Sequence, residues 1–214
     1  MIKNNLKIMS GPEIPEIKVI LLGETAVGKT SIIKRYYEGQ FNENEDSSLT
    51  MSYVDKTIEI DEEKYKLIIW DTIGQETYRS ISKLFLNESK IVILVYSIEN
   101  KSSFTNLDFW YNLYLEELGK EVILGIAGNK ADLYLNQQVP YEEGEKFAEE
   151  RGAIFAEISA KQNKESIDHF MMELVRKYLH KGKKEKNEAK KNIKLDGKNN
   201  KPDKKGCCSG KKSE

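Results

Sequence analysis

Residues 18–31 read Lys18-Val19-Ile20-Leu21-Leu22-Gly23-Glu24-Thr25-Ala26-Val27-Gly28-Lys29-Thr30-Ser31. Gly23, Gly28, Lys29 and Thr30 occupy the fixed places of G-x-x-x-x-G-K-[ST], a loop that cradles phosphates. The residue types suit that chemistry. Gly23 and Gly28 let the backbone turn tightly, so that N–H groups of the loop point at phosphate oxygens. Thr25, Ala26, Val27 and Ser31 complete the candidate contact set. Lys29 supplies a point charge for β- and γ-phosphates, and the Thr30 hydroxyl is a hard oxygen ligand suited to Mg²⁺. A helix starting near Gly28 adds the positive end of its dipole. A Gly-rich turn can arise without any ligand, but the apolar strand directly before this one argues for phosphate.

Two further stretches extend the chemistry. Trp70-Asp71-Thr72-Ile73-Gly74-Gln75-Glu76 ends a predicted strand. Asp71 there can hold a Mg²⁺-bound water, Gly74 can offer an unobstructed N–H to a γ-phosphate, and Gln75 can orient an attacking water. By itself D-x-x-G is a common turn; its position after a phosphate loop gives it weight. Gly128-Asn129-Lys130-Ala131-Asp132 follows another strand and selects the base. The Asp132 carboxylate can accept hydrogens from guanine N1 and the 2-amino group. Adenine lacks that donor pair, and a site built on such pairing rejects the wrong base by orders of magnitude. Asn129 can brace the loop and reach the base, and the Lys130 stem can lie across its face. Ser159-Ala160-Lys161 is short, and in this position its amides can contact a guanine oxygen. His169 and His180 are isolated and read as surface or boundary residues rather than metal ligands.

The elements that must position these residues follow from periodicity. Residues 1–16 read as a flexible leader with Pro12 and Pro15. Ile17–Leu22 is apolar throughout, as a buried parallel strand should be, and Thr30–Glu38 is a helix stopped near Gly39. Phe41–Thr50 is a polar loop of the kind that is often functional. Ser52–Ile60 and Tyr65–Trp70, joined by the three residues Asp61-Glu62-Glu63, predict an antiparallel hairpin. Ile91–Tyr96, Val122–Ala127 and Ile154–Ile158 are further strands. Ser103–Leu118 is a helix whose Phe104, Leu107, Trp110, Leu113 and Leu118 pack on the sheet. Tyr141–Arg151 and Ser166–His180 are the remaining helices. From Lys181 the chain is Lys/Asn-rich and too polar to offset its ordering entropy, so disorder is expected.

Of 214 residues 39% are hydrophobic, with a formal net charge of −1. Residues 181–214 hold 13 lysines against five acidic residues, a local charge of +8, so residues 1–180 carry −9. An acidic globule argues against nucleic-acid binding; a basic tail suits an anionic membrane surface. The two cysteines, Cys207 and Cys208, are adjacent and form no disulfide framework, which points to the reducing cytosol. Neither a signal segment nor an apolar run of membrane-spanning length is seen, so any membrane attachment is peripheral or lipid-borne.

In this order, phosphate loop, D-x-x-G, Asn-Lys-x-Asp and Ser-Ala-Lys resemble the Ras superfamily of small GTPases over about residues 17–180. The Rab branch is most similar, on Lys66–Thr72, Tyr78-Arg79-Ser80-Ile81-Ser82 and Leu94-Val95-Tyr96-Ser97-Ile98. Glu24-Thr25-Ala26, Gly128–Leu133 and Gly206-Cys207-Cys208-Ser209 resemble its early-endosomal subgroup. The resemblance implies a P-loop NTPase α/β fold: a six-stranded, mostly parallel sheet with one antiparallel edge strand and helices on both faces. It implies a monomeric GTPase that cleaves GTP to GDP and phosphate, slowly without an activating protein. Phe41 would pack edge-on to guanine, Ser48 would ligate Mg²⁺, and Tyr53, Trp70 and Phe85 would form an aromatic effector surface. Cys207 and Cys208 would carry prenyl groups. Implied partners are an exchange factor, an activating protein, effectors and a GDP-dissociation inhibitor or escort protein. The implied place is the cytoplasmic face of an endomembrane, endosomal in this subgroup, with a cytosolic pool.

Several residues depart from the branch. Ser48 replaces a threonine, Thr50 a glycine and Ile73 an alanine; Phe85-Leu86-Asn87-Glu88-Ser89 replaces Tyr-Tyr-Arg-Gly-Ala; and six residues follow Cys208. Three other readings stay open. Ile73 could make the chain a GTP-holding module with little hydrolysis, which single-turnover rates with and without Ile73→Ala would distinguish. It could be a non-vesicular, unlipidated signalling GTPase of Ras type. An adenylate-using phosphotransferase shares the phosphate loop but conflicts with Asn129 and Asp132.

Overall fold

In a computed structural model, the described residues are 14–43, 52–71 and 86–196, with side chains described as far as Lys183. They form one six-stranded sheet: β1 (Glu16–Leu22), β2 (Ser52–Ile60), β3 (Glu63–Asp71), β4 (Ile91–Ser97), β5 (Ile123–Asn129) and β6 (Ile154–Glu157). The spatial order is β2-β3-β1-β4-β5-β6. All pairings are parallel except β2–β3, which places the antiparallel strand at one edge, as expected. β4 and β5 are buried along their entire length, which is why their sequences run apolar instead of alternating.

Five α-helices are described: α1 (Lys29–Glu38), α2 (Lys101–Thr105), α3 (Leu107–Leu118), α4 (Tyr141–Glu149) and α5 (Lys164–Asp196). They cover both faces. On one, Ile20, Leu22, Leu94, Tyr96 and Ile126 pack with Leu107, Trp110 and Ala148. On the other, Gly125 sits so close to α5 that an added Cβ would come 2.9 Å from Leu174 and Phe170. The α5 residues Ile167, Phe170, Met171, Leu174 and Val175 are all buried, as the predicted stripe required.

Three expectations need correction. The hairpin turn has two residues, not three: Asp61 and Glu62 have φ of 52° and 65°, and positive φ at both matches the right-handed twist of the flanking strands. The expected helix over 103–118 is two helices meeting at Asn106. The first turn is pinned to the end of β4, because Ser103 Oγ accepts from Ser97 N at 3.0 Å while Asn100 caps the helix through Ser103 N at 3.1 Å. Leu107 then restarts the helix along the sheet. Finally, a compact unit ends at Tyr178, but helical backbone continues past the expected stop at His180 to Asp196. Lys, Glu and Ala are good helix formers, so propensity favours helical backbone beyond the apolar stripe. No helix among the described residues is long and apolar enough to cross a membrane.

Candidate functional site

The phosphate-binding loop joins β1 to α1, at the carboxyl end of a central strand. Its glycines are demanded by close approach. At Gly23 (φ 147°) a Cβ would lie 2.2 Å from the Val95 carbonyl oxygen; at Gly28 (φ 94°), 2.3 Å from Asn129 Nδ2. Ala26 also has positive φ, 63°. No side chain caps the start of α1, which leaves its first N–H groups available to an anion. Thr25 and Ala26 are exposed, Ser31 is partly buried and Val27 is buried.

Lys29 is 5% exposed and folds over the loop. Its ammonium donates to the carbonyl oxygens of Gly23 at 2.9 Å and Glu24 at 2.8 Å. Burial pulls its pKa down to about 8, against the opposing pull of the Asp71 and Glu24 carboxylates. Thr30 Oγ1 donates to Asp71 Oδ2 at 2.7 Å. A hydroxyl and a buried carboxylate thus converge beside the loop, and such hard oxygens are the donor set Mg²⁺ takes. The two residues lie 41 positions apart in sequence and meet because β3 and β1 are parallel neighbours.

The residues expected to select the base gather at the ends of β5 and β6. Asn129 is 2% exposed and braces two loops. Its Nδ2 donates to the Val27 carbonyl at 2.8 Å, and its Oδ1 accepts from Ala160 N at 3.3 Å. The Ala160 amide expected to face a guanine oxygen therefore also supports Asn129. Asp132 Oδ1 accepts from Ser159 Oγ at 2.5 Å, which fixes the carboxylate's direction. Lys130 has φ 65°, and its ammonium pairs with Glu99 at 2.7 Å. Lys161 pairs with Glu43, which holds its pKa above the usual lysine value. Phe41, two residues before Glu43, is partly buried.

Tyr53 and Trp70 face each other across β2 and β3, ring centroids 5.1 Å apart. Tyr53 is 59% exposed, and the Lys18 ammonium lies 5.3 Å over the Trp70 ring. His169 and His180 are exposed. Ser48, Thr50, Ile73, Gly74, Gln75, residues 78–82, Phe85, Cys207 and Cys208 lie outside the described residues.

Sequence reasoning missed Glu24, Glu43, Glu99 and Trp110 as contributors. The first three are charged residues on loops whose partners lie far along the chain. Trp110 was assigned to the core stripe, and it is buried there; the indole N–H is the polar atom that periodicity cannot assign.

The arrangement can bind a chain of phosphates, a divalent cation and a base with paired donors, side by side at one edge of a parallel sheet. Comparison with known families agrees: the Ras family model matches residues 18–180. That match takes in the phosphate-binding loop, Asp71, the Asn129–Asp132 turn and Ser159–Lys161, and with it the chain belongs to the Ras family of small GTPases, a GTP-binding, GTP-hydrolysing switch.

Proposed function

We propose that this GTPase is a Rab-like switch of vesicle traffic, acting from the cytoplasmic face of an endomembrane, endosomal by its nearest resemblance. Ras-family GTPases bind GTP and GDP, typically with Mg²⁺, and interact with exchange factors, activating proteins and effectors. Here Thr30, Ser48 and, through a water, Asp71 would hold Mg²⁺, which neutralises charge on the phosphates. Lys29 adds its charge as the bond to the γ-phosphate breaks, and Gln75 orients the attacking water. Asp132, aimed by Ser159, selects guanine, while Asn129, Lys130, Ala160, Lys161 and Phe41 enclose it. Contacts from Ser48 and Gly74 to the γ-phosphate order their loops, and hydrolysis releases them. No arginine stands at the described phosphate site. Intrinsic turnover is accordingly slow, and a partner's arginine adds on the order of 10³–10⁵-fold.

The observation that carries the Rab reading is the exposed Tyr53 tilted against the partly buried Trp70. An aromatic pair left open between the two nucleotide-sensing loops suits hot-spot contacts with an effector. Prenyl groups on Cys207 and Cys208, together with the lysine-rich segment before them, would give two-signal anchoring, with a GDP-dissociation inhibitor or escort protein carrying the soluble monomer. The test is the position of a tagged protein in its own cell, with intact mass. The native chain is expected on an endomembrane with a double geranylgeranyl increment, and Cys207→Ser/Cys208→Ser in the cytosol. An unmodified chain spread through the cytosol would favour a soluble signalling role.

A further inference from the structure

We infer that Trp110 is a positioning residue for the phosphate-binding loop, acting through Glu24. The indole Nε1–H of Trp110, on α3, donates to Glu24 Oε1 at 3.2 Å across 86 residues of sequence. Trp110 is 2% exposed and packed in the core, which makes it a fixed anchor for the loop. Glu24 is the residue after Gly23, and its carbonyl oxygen is one of the two that hold the Lys29 ammonium. One residue therefore meets the rigid helix with its side chain and the catalytic lysine with its backbone.

The loop is held at two points. Asn129 grips it at Val27, near its helix end. Trp110 grips it at Glu24, near its strand end. The second grip also has an electrostatic consequence. Glu24 puts a negative charge into a loop shaped for an anion, and the indole N–H holds that carboxylate against α3. Without the N–H, the carboxylate can turn toward the phosphates and repel them, and Lys29 loses a fixed acceptor. The nucleotide then leaves faster.

This rests on residues 23–30 holding the nucleotide's phosphates. The test is GDP release from the full-length protein, followed by displacement of a fluorescent GDP analogue. Trp110→Phe keeps the aromatic packing and removes only the donor; it should release GDP about 3–10-fold faster, the size of one typical net hydrogen bond. Glu24→Ala loses the tether and the repelling carboxylate together, so it should release GDP faster than native but more slowly than Trp110→Phe, and the double variant should match Glu24→Ala, because the two residues share one interaction. Glu24→Gln keeps the acceptor without the charge and should stay within about twofold of native, which tests the idea even if Trp110→Phe folds poorly. Native release from both Trp110→Phe and Glu24→Ala, or effects that multiply in the double variant, would overturn the inference. A native protein that carries no guanine nucleotide would instead overturn the phosphate-loop reading itself.

Discussion

At the scale of single residues, Lys29 is a cation held almost out of water. A lysine that is 5% exposed keeps its charge only because backbone carbonyls and two carboxylates surround it. Its pKa of about 8 means that the folded, nucleotide-free protein binds this proton less tightly than the unfolded chain, whose lysine titrates near 10.5. Between those values the unfolded state holds more protons, so stability rises with pH. The cost is fully present below pH 8 and fades above it. The raised pKa of the Tyr36, Tyr65, Tyr96, Tyr114 and Tyr141 phenols opposes this as unfolded tyrosines ionise toward pH 10. Urea unfolding of the nucleotide-free protein should therefore show about 1.5 kcal/mol more gain from pH 8 to 9.5 than Lys29→Met shows. An equal gain in the variant would assign it elsewhere. Bound phosphates reverse the sign, because they hold the proton on Lys29.

Between elements, the packing of α4 on the sheet depends on two glycines that make room for Tyr96. A Cβ at Gly144 would lie 2.4 Å from Tyr96 Oη and 2.7 Å from Phe155 Cζ; one at Gly128 would lie 2.7 Å from Tyr96 Oη. Helix propensity favours Gly144→Ala by about 1 kcal/mol, while overpacking opposes it by about 1–3 kcal/mol. The contact is with a fully buried side chain, so the clash wins, and Gly144→Ala should lower stability by about 1–2 kcal/mol. Among the described residues the Tyr96 hydroxyl has no hydrogen-bond partner. Removing it should therefore cost little, and Tyr96→Phe should restore part of the loss in Gly144→Ala, the contact with Phe155 remaining. Thermal unfolding of the two single variants and the double one checks this. Additive losses would show that the hydroxyl is not what the new methyl meets.

At this same scale the sequence was legible wherever one residue type had only one use. The buried strands showed as apolar runs, and α5 as a stripe. Asp61 and Glu62 were harder, because a positive-φ turn usually announces itself with Gly or Asn. The join at Asn106 was invisible, since Thr105 and Leu107 both fit a continuous helix and only the anchoring of Ser103 to β4 breaks it. The end of α5 is hard to read because the apolar stripe stops at Tyr178 while helix propensity continues.

For the whole molecule, an acidic body and a lysine-rich tail divide the charge, and one edge of the sheet collects the chemistry. Residues 23–30, 71, 129–132 and 159–161 come from four separate stretches, and the parallel order β3-β1-β4-β5-β6 sets their carboxyl ends in one row. Motif spacing made that site readable, because each motif has to follow a strand. The ties that stiffen it were not readable: Glu24 to Trp110 and Lys130 to Glu99 link residues that no periodicity relates. The central claim is that Asp132 selects guanine while Lys29 holds its phosphates. Calorimetric titration of the nucleotide-freed protein with GDP and ADP tests it most directly, in the native chain and in Asp132→Ala. The native protein should favour GDP by on the order of 10⁴-fold, and Asp132→Ala should remove most of that preference while still binding phosphates. A native protein that takes ADP as tightly as GDP, or a guanine preference that survives Asp132→Ala, would contradict the account.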